Sequence, residues 1–259
     1  MKRSGCLLAL LLAAATGAAA ADDKACAVIV LHGKWGSPQQ VAVFAHRLDP
    51  PCTGRTLEMP WSQRRDYDAD YPQALREIAA QVKELRAQGY RHVLLAGHSF
   101  GANAVLAYGA EVGDVDGLIA LAPGHAPRQM YRSGLTRAAV EQARELVAAG
   151  KGDETVSITD ANQGRQRGER MKASVLLSYF DPGGWGDIPT TTARLKPGLP
   201  LLWVVGTGDP AYRFGSAYAY DKAPANPASR YLTVESDHAG TAEAALPAVL
   251  EWLKPLVAP

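Results

Sequence analysis

Gly97-His98-Ser99-Phe100-Gly101 follows directly on the apolar run Val93-Leu94-Leu95-Ala96. The run predicts a short buried strand and the residues from Phe100 onward predict a helix. Ser99 therefore stands on the sharp turn between them, at the tip of a sheet edge. The glycines two before and two after it fit such a turn, because strand and helix backbones approach closely there and side chains would clash. Backbone N–H groups at the start of the helix also favour negative charge developing beside them. Five residues alone make a weak pattern, so its weight depends on what the rest of the chain delivers to the same edge.

Working outward, the strand itself is read as His92–Ala96 and the following helix as Phe100–Ala110. Upstream, Ala27-Val28-Ile29-Val30-Leu31 is a continuous apolar run, as expected of a strand covered on both faces, and it ends at His32-Gly33. Ser37 and Pro38 look like the cap and first position of a helix, with Val41, Phe44, Ala45 and Leu48 as its apolar stripe. Thr56-Leu57-Glu58-Met59 is short and mixed, suiting a sheet edge. Asp70 and Pro72 open a helix that buries Leu75, Ile78, Ala79, Val82 and Leu85 and closes at Gly89. Downstream, Gly117–Leu121 is a strand, Leu201–Val205 the fifth and Arg230–Val234 the sixth; a closing helix is expected from near Pro247.

Residues 125–198 interrupt this rhythm. Thr136–Ala149 reads as a helix ended by Gly150, and Arg165–Tyr179 as a second helix, with no strand expected before Leu201. An insertion of this length is usually functional, and it is expected to form a small helical cap. Arg165, Arg167, Arg170 and Lys172 would present either an anion-receiving surface or, the favoured alternative, a solvated helix face. Six strands alternating with helices imply an α/β architecture: a minimal, doubly wound, mostly parallel sheet with right-handed crossovers. Ligands bind such sheets at the carboxyl ends of the strands.

Composition is that of an ordinary globular chain: 259 residues, 47% hydrophobic and 20% charged, with a formal net charge of +1. There is no basic stripe of the kind a nucleic-acid binder shows. Lys2 and Arg3, the run Cys6–Ala15 and the small residues Ala18–Ala21 read as a secretory signal peptide over residues 1–21. The apolar segment is shorter than the roughly 20 residues a spanning helix needs. Residues 22–259 then form the mature chain, without a membrane span and periplasmic or secreted. Its two cysteines, Cys26 and Cys52, precede strands expected to be parallel neighbours. They are expected to form a disulfide, contributing ~3–4 kcal/mol in the chain-entropy model; two unpaired thiols are the alternative.

The residues just beyond each strand carry the chemistry. The first strand ends in His32-Gly33-Lys34, the third in Ser99, the fifth in Asp209 and the sixth in His238. A serine, an acid and a histidine thus reach one edge in the order Ser…Asp…His. This constellation resembles the α/β-hydrolase fold family, from Ala27 to Leu253, although the leading antiparallel strands of larger members are missing. The resemblance implies a serine hydrolase cleaving a small-molecule carboxylic ester through an acyl-enzyme, without metal or organic cofactor.

In that scheme Ser99 is the nucleophile and His238 its base, while Asp209 orients the imidazole. The backbone N–H groups of Lys34 and Phe100 would form the oxyanion hole. Trp35, His125 and Trp185 are candidate pocket residues. Plainer alternatives are a helix-capping Ser99, a turn-forming Asp209 before Pro210, a surface-loop His238, and an exposed Lys34 beside a packed Trp35. Glu235, Asp237 and Asp221 are the fallback acids. An acyltransferase on the same fold, or a binding protein that keeps the site only as a pocket, are the competing functions.

Overall fold

The computed structural model describes residues 24–258, so the expected leader lies outside the described residues. The first strand, β1 (Lys24–Leu31), leads through a 3-10 turn at Pro38–Val41 into the short helix α1 (Ala42–His46). Then come β2 (Cys52–Leu57), α2 (Tyr71–Ala87), β3 (Tyr90–His98), α3 (Phe100–Glu111) and β4 (Leu118–Leu121). A long excursion carries α4 (Pro127–Arg132), α5 (Arg137–Ala148), β5 (Thr155–Asn162), β6 (Arg165–Lys172), α6 (Ala173–Phe180) and α7 (Ile188–Ala193). The chain returns through β7 (Leu201–Gly206) and β8 (Arg230–Val234) and closes with α8 (Thr241–Leu256).

Six strands form one sheet in the order β2-β1-β3-β4-β7-β8, every neighbouring pair parallel. The period-two geometry of a strand explains the unbroken apolar run of β1. Ala27, Ile29 and Leu31 enter a core with Leu75 and Ile78 of α2 and Val105 of α3. Cys26, Val28 and Val30 enter the opposite core with Phe44 of α1 and Val249 and Leu253 of α8. Burying one such aliphatic side chain stabilises the fold by about 1.5–3 kcal/mol, so both faces hold the sheet between helices. No helix among the described residues is long and apolar enough to cross a membrane.

Cys26 and Cys52 stand opposite each other in the β1–β2 register and are joined by a disulfide. It ties the amino ends of two strands, remote from the carboxyl edge that carries Ser99. β2 is indeed an edge strand, displaced toward the amino end of the expected stretch.

Two expectations are corrected. Residues 155–172 form an antiparallel hairpin, so only the Ala173–Phe180 end of the expected second helix is helical. Val156, Ile158, Asp160, Glu169 and Met171 point inward and alternate with exposed residues. The turn at Gln163-Gly164 has positive φ at both residues, 48° and 76°, which matches the right-handed twist of the two strands. The last helix also starts earlier than expected, at Thr241, with Pro247 inside it. That proline removes one backbone bond. Ala242, Ala245, Leu246 and Val249 nonetheless lie buried along one face, and their packing carries the helix through.

Candidate active site

The turn between β3 and α3 is held by close packing. A Cβ at Gly97 would lie 2.2 Å from the backbone of Gly101, and one at Gly101 would lie 2.3 Å from the carbonyl oxygen of Leu31. Neither contact can be relieved, because the opposing atoms are backbone. Ser99 itself adopts φ 57° and ψ −117°, a conformation L residues avoid. Its N–H donates to Leu121 O at 2.9 Å and its carbonyl accepts from Gly124 N–H at 3.1 Å, so neighbouring strand ends hold the strained residue in place. The Ser99 hydroxyl makes no capping bond to α3. It faces His238 instead.

His238 comes from the loop after β8 and Asp209 from the loop after β7. The Ser99 Oγ to His238 Nε2 distance is 2.9 Å, and His238 Nδ1 lies 2.6 Å from Asp209 Oδ2. The other Asp209 oxygen, Oδ1, accepts the Ala211 N–H at 2.7 Å. Burial raises the Asp209 pKa most strongly as a single effect, but the bonds from His238 and Ala211 together outweigh it and hold the carboxyl below its ordinary value. An ionised Asp209 fixes the proton of a neutral His238 on Nδ1, which leaves Nε2 free to accept from the Ser99 hydroxyl. Chemically, this is a serine beside a base that is itself oriented by an acid.

His98, between Gly97 and Ser99, contributes in a way the sequence did not reveal. Its Nε2 donates to the backbone carbonyl of His238 at 2.8 Å, tying the elbow to the loop that carries the imidazole. Burial depresses the pKa of His98, which keeps the ring a neutral donor.

The loop after β1 approaches the same serine: a Cβ on Gly33 would lie 3.2 Å from Ser99 Cβ. His32 anchors that loop, accepting the Met59 N–H on Nε2 at 3.1 Å while its Nδ1–H donates to Gly33 O at 2.8 Å. Within the loop the Gly33 N–H donates to Gln40 Oε1, Trp35 N–H to Trp61 O and Gly36 N–H to Gly33 O. Among the described residues no backbone carbonyl takes the N–H of Lys34, nor that of Phe100 at the first position of α3. Two free donors therefore flank the serine.

The Lys34 side chain turns away from solvent. Its Nζ donates to Asp160 Oδ1 at 2.6 Å and to Ala161 O at 3.0 Å. Asp160 also accepts from Tyr67 Oη at 2.9 Å, and Asn162 Nδ2 donates to the Lys34 carbonyl at 3.1 Å. Lys34 is 5% exposed and Asp160 fully buried, so the alternative of an exposed lysine does not hold. Burial lowers the Lys34 pKa, against the opposing pull of Asp160.

Beside His238 and Asp209 lies a cavity of about 540 Å³. Gly124 and His125 form part of its wall; a Cβ on Gly124 would lie 2.9 Å from Ser99 Oγ. His125 stacks on Phe100 at 4.3 Å and its Nε2 donates to Tyr179 O at 2.7 Å. Burial, assisted by the charge of Lys34, pushes its pKa well below the usual histidine value. Of the three expected pocket residues only His125 lines this cavity. Trp35 lies under the Arg167 guanidinium, 4.8 Å from its ring. Trp185 stacks on Tyr71 and borders a separate shallow groove beside Pro72 and Leu75, because the glycine-rich loop carrying it folds back over α2. Arg165, Arg167, Arg170 and Lys172 are also absent from the cavity wall; Arg167 pairs with Asp66 and Glu169, and Lys172 with Asp153.

The same architecture is found in other proteins. Est1E from Butyrivibrio proteoclasticus superposes with a TM-score of 0.62 over 92% of this chain and 91% of its own, at 19% identity. A siderophore hydrolase, EstB, from Aspergillus fumigatus superposes at 0.58 over 93% of each chain, at 17% identity. A monoacylglycerol lipase from Paleococcus ferrophilus superposes at 0.57 over 89% of this chain and 93% of its own, at 17% identity. At these identities the likeness concerns the fold. No curated protein matches the sequence significantly. The parallel sheet, the serine turn after its third strand and a family match spanning residues 28–251 agree: the chain belongs to the alpha/beta hydrolase family.

Proposed function

We propose that the protein is an exported serine hydrolase that cleaves a carboxylic ester through an acyl-enzyme. The observation that carries this reading is the continuous chain of contacts from Asp209 through His238 to the Ser99 hydroxyl, at 2.6 and 2.9 Å. Ser99 Oγ attacks the ester carbonyl while His238 Nε2 takes its proton. Asp209 stabilises the imidazolium that results. The N–H groups of Lys34 and Phe100 hold the oxyanion of the tetrahedral intermediate, a contribution of about 3–4 kcal/mol per donor in comparable chemistry. His238 then returns the proton to the departing alcohol. A water, deprotonated by the same nitrogen, releases the acid and regenerates Ser99. The excursion between β4 and β7 acts as the cap that walls the substrate cavity.

Export is supported by the Lys2-Arg3 start with its apolar run and by the Cys26–Cys52 disulfide, which suits an oxidising compartment. Mass measurement of the protein recovered from the producing cell should give an amino terminus near Asp22.

The catalytic reading is tested with 4-nitrophenyl esters of graded acyl length, comparing the wild type with Ser99→Ala. Activity on the preferred chain length should fall by about 10³-fold or more. A serine-reactive fluorophosphonate should label Ser99 in the folded wild type. A Ser99→Ala protein with full esterase activity, or folded wild type that resists the label, overturns the assignment.

A further inference from the structure

The cavity beside His238 is apolar on much of its surface, with Ile188, Pro189, Phe214 and Tyr218 among its lining residues. Three guanidinium groups interrupt that surface: Arg128 and Arg132 from α4, and Arg213 from the segment after Asp209. Arg128 and Arg132 are one helical turn apart and so share a face of α4. Arg128 is held in place, its Nη2 donating to Asp187 Oδ2 at 2.5 Å and to Thr190 Oγ1 at 3.1 Å. Asp187, which caps α7, is buried and engaged by this pair. Arg132 and Arg213 have no acidic partner among the described residues; Arg213 lies only over the ring of Phe214, at 4.9 Å. Apart from Asp187 and the Asp209 already bound to His238, no carboxylate lines the cavity. The wall thus carries two solvent-exposed guanidinium groups without acidic partners beside an apolar surface, so their attraction for an anion is sensitive to salt.

We infer that the cavity takes esters bearing a carboxylate, which Arg132 and Arg213 receive while the apolar wall contacts the carbon chain. A planar guanidinium binds a carboxylate through paired hydrogen bonds, and the two arginines line the same cavity from different elements. This rests on the proposed hydrolase reading, and it names the substrate class for that site.

The test compares matched substrates. Mono-4-nitrophenyl glutarate and 4-nitrophenyl pentanoate differ by a carboxylate on the acyl side. The 4-carboxyphenyl and 4-carbamoylphenyl esters of butanoate differ by one on the alcohol side. In one of the two pairs kcat/KM should favour the anion by about tenfold or more at low ionic strength, and the preference should shrink in 0.5 M salt. The pair that responds identifies which half of the ester faces the arginines. Arg132→Gln/Arg213→Gln should lower that ratio about tenfold. Ratios near one in both pairs, or a ratio the double substitution leaves unchanged, overturn the inference.

A binding measurement separates failure of the cavity from failure of the catalytic assignment. Ser99→Ala is titrated calorimetrically with two matched pairs of amides, glutaric acid monoanilide against neutral pentananilide and 4-butanamidobenzoate against neutral 4-butanamidobenzamide. In one of the pairs the acid should bind about tenfold more tightly, and the advantage should vanish in Ser99→Ala/Arg132→Gln/Arg213→Gln. Equal binding within both pairs overturns the inference whether or not Ser99 is the nucleophile.

Discussion

Two buried ionic clusters flank the loop after β1, and they differ in whether they end. Asp160 takes Lys34 and Tyr67, Lys34 also takes the Ala161 carbonyl, and the cluster closes on itself inside the protein. Asp209 takes His238 and Ala211, but the chain then runs on through His238 to a hydroxyl that no group among the described residues takes up further. The closed cluster pairs its charges with each other inside the protein, away from the cavity beside His238. The open one holds a proton donor and acceptor at a cavity. A buried ion pair is thus weak evidence for function, and an unfinished one is stronger evidence.

The comparison breaks most visibly at Asp209. Asp209→Asn should keep the fold but lower kcat/KM on the best activated ester by about 10³–10⁴-fold, since the imidazole loses its tautomer and its countercharge. Retention of activity within tenfold would place the orienting acid elsewhere. At the closed cluster the expected loss is stability. Asp160→Ala strands the Lys34 ammonium and the Tyr67 hydroxyl in the interior, which should cost about 3–5 kcal/mol in denaturant unfolding. Lys34→Met/Asp160→Leu should recover most of that loss, because it removes both charges together. If the double variant folds well yet loses activity a hundredfold, the closed cluster does more than pack.

A smaller effect is expected from pH. His32, His98 and His125 all have pKa values depressed by burial below the ordinary 6.5. The folded state therefore resists protons that the unfolded chain accepts. Stability is full above about pH 6.5 and declines as pH falls below it. The depressed Asp209 adds a second loss as pH drops below its ordinary 3.8. Thermal unfolding should show a lower Tm at pH 5.0 than at pH 7.5. A flat profile over that interval would mean the three imidazoles accept protons in the folded state at no cost.

The open cluster was readable from the sequence because its members end strands that the sequence pattern announces. Val93–Ala96, Leu201–Val205 and Arg230–Val234 each mark a strand, and the residues after parallel strands must reach one common edge. The closed cluster had no such announcement. Lys34 and Asp160 are far apart in the chain, and Asp160 sits in a hairpin whose inward residues include two carboxylates. Charged residues on both faces of β6 conceal its alternation around Met171, and Asp160 interrupts that of Val156 and Ile158 in β5, so Arg165–Tyr179 reads as a helix. The Gln163-Gly164 turn was the one local signal. The arginines of the cavity were missed for a related reason: Arg128, Arg132 and Arg213 are scattered single charges, whereas the conspicuous run from Arg165 to Lys172 pairs elsewhere or faces away.

His98 binds the carbonyl of His238, so the turn that carries Ser99 and the loop that carries His238 are fastened to each other without any part of α4 or α7. Those two helices supply Arg128, Gln129, Arg132, Ile188 and Pro189 to the cavity wall. If the proposed function holds, α4 and α7 can therefore be rewritten to admit a different ester while Ser99, His238 and Asp209 stay in alignment. Retargeting this protein is a matter of exchanging wall residues, and the His98 contact is the part to leave alone.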